Sequence, residues 1–269
     1  MHQIILRDIR KHFTVYERPE GKWGLLKGAL IRKPRRVQAL DGISMDIARG
    51  ELVGYIGPNG AGKSTSVKIM SGILVPDGGE CLISGRVPWK ERAAHVADIG
   101  VVFGQRTQLW WDVPTGDSFD LLKDIYALDT AVYKERLGAL CEALEVSELL
   151  KTPVRQLSLG QRMRCELVAA LLHSPKILFL DEPTIGLDAV SKLALRAFLK
   201  AENERAGTTM LLTTHDMDDI KALCSRVMVI GRGKLLYDGD LSALVARYET
   251  REGQDIDEII ASMYHDMAL

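Results

Sequence analysis

Short runs of apolar residues recur along the chain, and helix-like stretches separate several of them. Each run is brief and nearly unbroken, which is typical of a strand buried on both faces of a parallel sheet. The runs are Leu52–Ile56, Ile99–Phe103, Ile177–Leu180, Met210–Thr213 and Val227–Ile230. Strands that alternate with helices predict an α/β fold, in which a mainly parallel sheet carries helices on both faces.

Three regions add to this plan. Cys81–Ser84 follows a glycine-rich turn signal at Asp77 and predicts a small antiparallel β flank. The stretch from Asp117 to Lys151 is rich in Leu, Ala, Glu and Lys, and predicts an inserted α-helical subdomain. We place that subdomain at about 106–160, inside one domain that spans residues 1–240. A helical tail over residues 241–269 follows it.

A basic insertion interrupts the N-terminal part over residues 17–36. It holds seven Lys and Arg side chains against two Glu, with Trp23 and several aliphatic residues between them. A short amphipathic element of this kind can bind an anionic membrane face or a partner. The alternative is a solvated loop whose few apolar side chains pack onto the domain. The sequence leaves both alternatives open.

Composition excludes several classes of function. The net charge of −1 argues against a general nucleic-acid surface, which usually carries a basic excess. The four cysteines are scattered without a Cys-x-x-Cys pair, so reduced cytosolic thiols are expected and no zinc site is. No signal peptide is evident, and no apolar run approaches the roughly 18 residues of a membrane span. We therefore expect a membrane role, if any, to act through a partner or a surface contact.

A complete phosphate-binding loop connects the first apolar run to a helix start at Ser64. The loop consists of Gly57, Pro58, Asn59, Gly60, Ala61, Gly62, Lys63, Ser64 and Thr65. Backbone N–H groups of such a strand–loop–helix unit converge on one point, where they bind a polyphosphate. Lys63 supplies a positive charge to the β- and γ-phosphates, and the Ser64 hydroxyl is a ligand for Mg²⁺. The alternative is a glycine-rich turn without this role.

A pair of carboxylates follows the apolar run that begins at Ile177. Asp181 and Glu182 lie at the carboxyl end of this predicted strand, where ligands bind in open α/β sheets. Asp181 can hold Mg²⁺ directly or through water, and Glu182 can orient or deprotonate a water molecule that faces the γ-phosphate. The alternative is that they are two solvated carboxylates at a strand end. The presence of a phosphate loop in the same chain argues against this alternative.

With these two motifs and four more, the chain resembles the nucleotide-binding subunit of an ATP-binding cassette (ABC) transporter over Ile4 to Asp240. The order of the motifs carries the resemblance. They are the loop at Lys63, Gln105 after a strand, the signature-like Leu157-Ser158-Leu159-Gly160-Gln161, the pair Asp181–Glu182, Asp188 and the switch histidine His215. Leu159 stands where the family usually has glycine, whereas Ser158 and Gly160 are kept.

The resemblance implies a role for each motif. Ser158, Gly160 and Gln161 face the γ-phosphate held by the opposite subunit, although Ser158 and Gln161 also form a capping box for a helix at Arg162–His173. Gln105 reaches Mg²⁺ and the attacking water, and His215 bonds the γ-phosphate. Asp188 lies on the loop that crosses to the partner, and it also suits the start of a helix at Ala189.

Aromatic residues leave two questions open. The family places an adenine-stacking aromatic residue shortly after the first strand, where Phe13 fits best and Tyr16 is the alternative. Trp110 and Trp111 follow Leu109 directly. These three residues either fill a core or form an apolar socket for a cytoplasmic helix of a membrane subunit.

The function that follows from the resemblance is ATP hydrolysis coupled to transport. We expect an ATP- and Mg²⁺-dependent ATPase that works as a homodimer, or paired with a related ATPase subunit, on the inner face of the cell membrane. It would power a separate integral membrane permease, with export favoured by residues 183–188 and by the tail at Ile256–Tyr264. The alternative is a soluble ABC-type ATPase that acts as an assembly or scaffold factor without transport.

Overall fold

The computed structural model describes residues 2–17, 33–104, 106–248 and 256–266, and the structural statements below concern these residues. Strands and helices alternate through most of this length. In chain order the elements are β1 His2–Glu17, β2 Lys33–Ala48, β3 Leu52–Ile56, α1 Lys63–Met70, β4 Gly78–Ile83, α2 Arg92–Asp98, β5 Ile99–Phe103, α3 Thr115–Ile125, α4 Thr130–Ala143, α5 Leu159–Leu171, β6 Ile177–Asp181, α6 Ala189–Ala206, β7 Thr209–Thr214, α7 Met217–Leu223, β8 Arg226–Gly231, β9 Lys234–Asp240, α8 Leu241–Tyr248 and α9 Ile256–Asp266.

The main sheet has six strands in the order β5-β6-β7-β3-β8-β9, and β9 runs antiparallel to β8 while the other pairs are parallel. All five strands predicted from apolar runs lie in this sheet. Hydrogen bonding extends β6 to Asp181, so the first carboxylate of the predicted pair ends the strand itself. The predicted fold class, mainly parallel α/β with a small antiparallel flank and an inserted helical part, is confirmed.

Strand β6 shows why the buried strands are apolar at every position. Ile177 and Phe179 face the small sheet and α1, whereas Leu178 and Leu180 face the helices on the opposite side. All four side chains are at most 1% exposed. Because successive residues of a strand point to opposite faces, burial of both faces leaves no position for a polar side chain.

A second sheet of three antiparallel strands has the order β2-β1-β4. It includes the predicted flank, although β4 begins at Gly78 and ends at Ile83. The long strands β1 and β2 were absent from the apolar runs recognised above, and they pair along their length up to Glu17 and Lys33. Of the predicted basic insertion, residues 33–36 belong to β2, and residues 18–32 lie outside the described part of the chain.

The stretch between β5 and β6 is helical, as predicted for Asp117 to Lys151. It contains α3, α4 and two short 3₁₀ turns, and its apolar side chains pack with α5 in one core cluster. The tail helices α8 and α9 join the same cluster through Leu244, Ile259 and Met263. None of the helices described here combines the length and apolar character that a bilayer crossing requires.

Candidate functional site

The phosphate loop connects β3 to α1 and packs tightly against β2 and the turn between β8 and β9. Gly62 precedes the helix with a φ of 114°, and a Cβ there would lie 2.6 Å from the carbonyl oxygen of Ala39. The Ala61 carbonyl accepts a hydrogen bond from the Gly233 N–H at 2.9 Å. Only glycine suits this backbone conformation and this spacing. The loop is therefore held in one shape by β2 and by the turn between β8 and β9.

Lys63 is the first residue of α1, which starts one residue before the predicted Ser64. Its side chain is 5% exposed, and its Nζ donates to the Gly57 carbonyl at 2.6 Å. The same Nζ lies 3.9 Å from Oε1 of Glu182. Burial lowers the pKa of Lys63, while the nearby carboxylates of Glu182 and Asp181 raise it. The ammonium group thus lies between the phosphate loop and the acidic pair.

Asp181 is bonded to two hydroxyl groups. Ser64 Oγ donates to Asp181 Oδ1 at 3.1 Å, and Thr213 Oγ1 donates to the same oxygen at 2.6 Å. Hydroxyl and carboxylate oxygens are the ligands that Mg²⁺ prefers. No group of three or more His, Cys, Asp or Glu side chains that could hold a metal occurs in the described part of the chain. A cation here would need further oxygen ligands from phosphate and water, which is the usual habit of Mg²⁺.

Glu182 adopts a strained backbone conformation directly after β6. Its φ is 54°, a left-handed value that typically costs a residue other than glycine about 1–3 kcal/mol. The Glu182 N–H donates to the carbonyl of Thr213 at 2.9 Å and to its hydroxyl at 3.1 Å, which holds this conformation. Glu182 Oε1 lies 3.6 Å from Nδ1 of His215, whose side chain is 58% exposed. The two predicted residues therefore face the same space.

The segment after β5 approaches Glu182 at Gly104. The Gly104 N–H donates to the Asp181 carbonyl at 2.8 Å, and a Cβ at Gly104 would lie 2.2 Å from the Glu182 carbonyl oxygen. Gln105 itself lies outside the described residues, so its predicted role is untested. Its neighbours Gly104 and Arg106 both line the cavity beside Glu182.

The phosphate loop, the segment after β5 and the acidic pair after β6 surround one cavity of about 580 Å³. This volume falls in the range of small-molecule sites. Several predicted residues line it together, namely Asn59, Ser64, Asp181, Glu182 and His215. Sequence reasoning missed Lys68, Arg106 and Thr213, which line the cavity or bond its acidic pair. A polar residue at the end of the apolar run Met210–Thr213 was the available signal for Thr213.

The signature-like segment lies outside this cavity. Ser158 caps α5, which begins at Leu159 and ends at Leu171 and not at the predicted Arg162 and His173. The predicted capping box is confirmed, since Gln161 N–H donates to Ser158 Oγ at 3.2 Å and Ser158 N–H donates to Gln161 Oε1 at 2.9 Å. Among the residues lining the cavity, none belongs to this segment.

Asp188 lies close to the signature-like segment. It caps α6 by accepting from the Ser191 N–H at 2.9 Å and from the Ser191 hydroxyl at 2.7 Å, and these bonds lower its pKa. A Cβ at Gly160 would lie 2.9 Å from the same Ser191 hydroxyl oxygen. The helix N-termini of α5 and α6 therefore form a second surface, which carries Ser158, Gly160, Gln161 and Asp188.

The two candidates for adenine stacking lie on β1. Phe13 is 37% exposed and Tyr16 is 55% exposed. They are three positions apart in a regularly paired part of the strand, so they point to opposite faces. Lys11 Nζ lies 5.8 Å from the centre of the Phe13 ring. Both residues are exposed, and the choice between them stays open.

Of the three residues predicted at the permease contact, Leu109 is buried and so cannot contact a permease. Its side chain is 4% exposed because it packs into the core with Phe119 and Leu122. Trp110 and Trp111 are 39% and 49% exposed, so the alternative that they fill the core is wrong. The two indole rings form an exposed apolar surface, which is called the tryptophan surface below.

Comparison with known proteins agrees with this geometry. The profile of the ABC transporter family matches residues 40–185. The chain is 32% identical to the ABC transporter ATP-binding protein NatA of Bacillus subtilis, over 86% of this chain and 92% of that protein. It is 33% identical to the linearmycin resistance ATP-binding protein LnrL of the same species, over 77% of this chain and 66% of that protein.

A solved structure shares the fold. The dimeric structure of MJ0796, a bacterial ABC transporter cassette, superposes with a TM-score of 0.73 at 25% identity, over 88% of this chain and 98% of that chain. The family profile covers the phosphate loop and the acidic pair, and the relative NatA matches along almost its whole length. The chain therefore belongs to the ABC transporter family, and it is one of the ATP-binding, ATP-hydrolysing subunits of that family.

Proposed function

We propose that two copies of this chain clamp two Mg-ATP molecules between them, and that this closure drives a separate integral membrane permease. The division of the site carries the proposal. Asp181 and Glu182 line the cavity and the Lys63 ammonium lies 3.9 Å from Glu182 Oε1, whereas the capped N-terminus of α5 lines no part of it. A contact from Ser158 and Gly160 to the γ-phosphate then comes from a second molecule, either another copy or a related ATPase subunit.

The residues of each copy divide the work of binding. The backbone of residues 57–65 cradles the phosphates, Lys63 neutralises the β- and γ-phosphates, and Phe13, or Tyr16 as the alternative, stacks on adenine. The positive N-terminal end of α5 faces the γ-phosphate of the partner's nucleotide, where Ser158 adds a hydroxyl group. Asp188, which caps the adjacent α6, contacts the partner across the seam between the copies.

Magnesium would be held by Ser64 and Asp181, with Gln105 reaching the same ion. The two oxygens of Ser64 and Asp181 lie 3.1 Å apart, close to the roughly 3 Å that separates neighbouring ligands around Mg²⁺. When bound, the ion neutralises phosphate charge. Thr213 keeps the Asp181 carboxylate oriented through its bond of 2.6 Å.

Hydrolysis depends on Glu182 and His215. The carboxylate of Glu182 faces the cavity, where it accepts a proton from the attacking water. His215, whose Nδ1 lies 3.6 Å from Glu182 Oε1, bonds the γ-phosphate. Once the γ-phosphate has been cleaved, neither copy retains the charge that joined them, so the pair opens.

The rest of the proposal concerns the partner and the place of action. Residues 1–240 form the nucleotide-binding domain, with the helical subdomain at about 106–160 and the tail at residues 241–269. The tryptophan surface docks on a cytoplasmic part of the permease, which keeps the subunit at the inner face of the cell membrane. Export is supported by the resistance function in the name of the linearmycin relative.

The Glu182→Gln variant tests the clamp. Removal of the water-activating carboxylate should lower kcat by about 10²- to 10⁴-fold while ATP binding is retained. Sedimentation velocity should then detect a dimer in saturating Mg-ATP and a monomer in Mg-ADP. A Lys63→Ala change in the same background is the matched control, and it should yield less dimer at the same Mg-ATP concentration because nucleotide binds more weakly.

Two results would contradict the proposal. A monomer in saturating Mg-ATP, with nucleotide bound and Glu182 replaced, would refute the clamp between copies. Hydrolysis at the parental rate in Glu182→Gln would show that another group activates the water. Purification from membranes with an integral membrane protein bound would support the permease partner, and recovery without one would support the scaffold alternative.

A further inference from the structure

A buried carboxylate outside the catalytic cavity joins two parts of the proposed machine. Glu166 lies on α5 and is 3% exposed. It accepts a hydrogen bond from the Thr107 hydroxyl, and both of its carboxylate oxygens lie 3.2 Å from the backbone nitrogen of Gln108. Burial raises the pKa of Glu166, and the bonds from Thr107 and Gln108 lower it. No step of the proposed hydrolysis uses this group.

A further bond attaches the same segment to α5, and another lies within the segment. The side-chain amide of Gln108 donates to the Glu166 carbonyl at 3.2 Å, and the Leu109 N–H donates to Thr107 Oγ1 at 3.1 Å. Leu109 is buried in the core cluster that contains the apolar side of α5. The segment Thr107–Leu109 is thus attached to one helix by side-chain, main-chain and apolar contacts, which makes independent movement costly.

The attached elements lead to two different surfaces. Thr107–Leu109 continues directly into the tryptophan surface at Trp110 and Trp111. Helix α5 begins at the signature-like segment, about 12 Å along its axis from Glu166. The Arg162 guanidinium, one turn into that helix, lies 5.8 Å from the centre of the Trp111 ring. A helix of this length is stiff, so a displacement at one end reaches the other.

We propose that Glu166 is a positioning residue that makes the tryptophan surface and the N-terminus of α5 move as one body. The inference rests on the proposed function, because it takes Ser158 and Gly160 as the contact to the partner's γ-phosphate. Engagement of that phosphate restrains α5. Through Glu166 it also restrains Thr107–Leu109 and the surface that meets the permease.

A matched control separates this role from a purely structural one. Glu202 is 4% exposed and accepts bonds from Arg136 and Arg205. It lines a cleft with Lys176 and Thr208, which immediately precede β6 and β7. Glu202 therefore lies at the amino ends of the parallel strands, at the opposite edge of the sheet from the nucleotide cavity. Its loss removes a buried carboxylate without affecting the proposed connection.

Hydrogen exchange of the full chain tests the proposal in the Glu182→Gln background, where Mg-ATP holds the pair closed. In that parent, Mg-ATP should slow exchange of the peptide spanning residues 107–113 by about tenfold. In Glu166→Ala the dimer should still form, but slowing at this peptide should fall below about twofold. Glu166→Gln keeps an acceptor at the same length and should retain most of the effect, as should Glu202→Ala.

Each result decides the proposal. Undiminished ATP-dependent slowing in Glu166→Ala would overturn it, and so would an equal loss in Glu202→Ala. If Glu166→Ala does not fold, Thr107→Val removes one donor at constant shape and must still diminish the slowing. Absence of a dimer in the Glu182→Gln parent would be a failure of the proposed clamp, and it would be visible before any Glu166 variant is compared.

Discussion

The backbone of Gly104 passes so close to Glu182 that a Cβ on the glycine would lie 2.2 Å from the Glu182 carbonyl oxygen. The same Glu182 has a left-handed φ of 54° and is held by Thr213 on β7. The end of β5 and the acidic pair after β6 therefore share one packed junction. Any side chain at position 104 must displace either the segment that leads to Gln105 or the strained Glu182.

Replacement of Gly104 by Ala should impair both stability and turnover. Forcing one extra carbon into a packed junction typically lowers the free energy of unfolding by about 1–3 kcal/mol. A displaced Glu182 should also lower kcat, and the fold-change in kcat should exceed the fold-change in KM. Steady-state ATPase assays measure both constants. Gly138→Ala is the control, since a Cβ there meets nothing within 4 Å and the helix α4 should gain stability. Parental kcat in Gly104→Ala would contradict the tight junction.

Replacement of Lys63 by Ala should weaken nucleotide binding. The ammonium group is buried and directed at the phosphate loop, so its loss removes a charged interaction worth about 1.5–3 kcal/mol. The dissociation constant for ATP should rise by about 10- to 100-fold in equilibrium titration. Lys176→Ala removes an equal charge at the amino ends of the strands and should leave affinity unchanged. Unaltered affinity in Lys63→Ala would refute the assignment of the loop.

Replacement of Trp110 and Trp111 by Ala should spare ATP binding and hydrolysis by the isolated subunit. Both rings are substantially exposed, so their loss should change the free energy of unfolding by less than about 1 kcal/mol. Recovery of the subunit with membranes should fall sharply, because the proposed docking surface is removed. Ile125→Ala, which removes a 60% exposed apolar side chain on α3, controls for apolar area. Full membrane recovery of the double variant would contradict the proposed surface.

A partly buried histidine should make stability depend on pH. His173 stacks on Tyr126 with ring centres 3.9 Å apart, and its Nε2 lies 2.8 Å from the Ile99 carbonyl oxygen. Its Nδ1 is buried without a hydrogen-bond partner in the described part of the chain. Burial lowers the pKa of His173 below its ordinary 6.5, although the Ile99 bond opposes this.

The lowered pKa of His173 in the folded chain determines how stability changes with pH. Below about pH 6.5 the unfolded chain binds a proton at His173 that the folded chain does not, so stability is lost as pH falls from 7 toward the lowered pKa. The loss is at most about 1.4 kcal/mol per pH unit for this histidine. Urea unfolding at several pH values should show a flatter dependence in His173→Gln than in the parent. Equal slopes would show that His173 does not carry the effect.

Prediction from sequence succeeded where a local signal was strong. The run Ile177–Leu180 identified a buried strand because burial on both faces demands apolar residues at every position, and Ser158 with Gln161 identified a capping box because both bonds are local. Strands β1 and β2 were not recognised because charged residues such as Arg7, Asp8 and Arg36 interrupt their apolar pattern. Their pairing is with each other and with β4, so no short window of sequence contains the signal.

Leu109, Trp110 and Trp111 show where local reasoning reaches its limit. The three residues are adjacent and apolar, and no local sequence signal distinguishes one from another. Packing between α3 and α5 buries the first and leaves the other two in solvent, because only the first points toward the core of the helical part. Burial at this position depends on elements that are distant in sequence, and it was decided by the tertiary structure.

The sequence by itself determined the fold class, the phosphate loop, the acidic pair and the family resemblance, because each depends on neighbouring residues or on the order of motifs. The tertiary structure alone decided that Asp181, Glu182 and His215 line one cavity with Lys63 beside Glu182, while Ser158 and Asp188 lie on another surface. It also decided that Glu166 binds the segment after Gln105. The physical reason is that these contacts join residues tens of positions apart, whose distances are set by sheet order and helix packing.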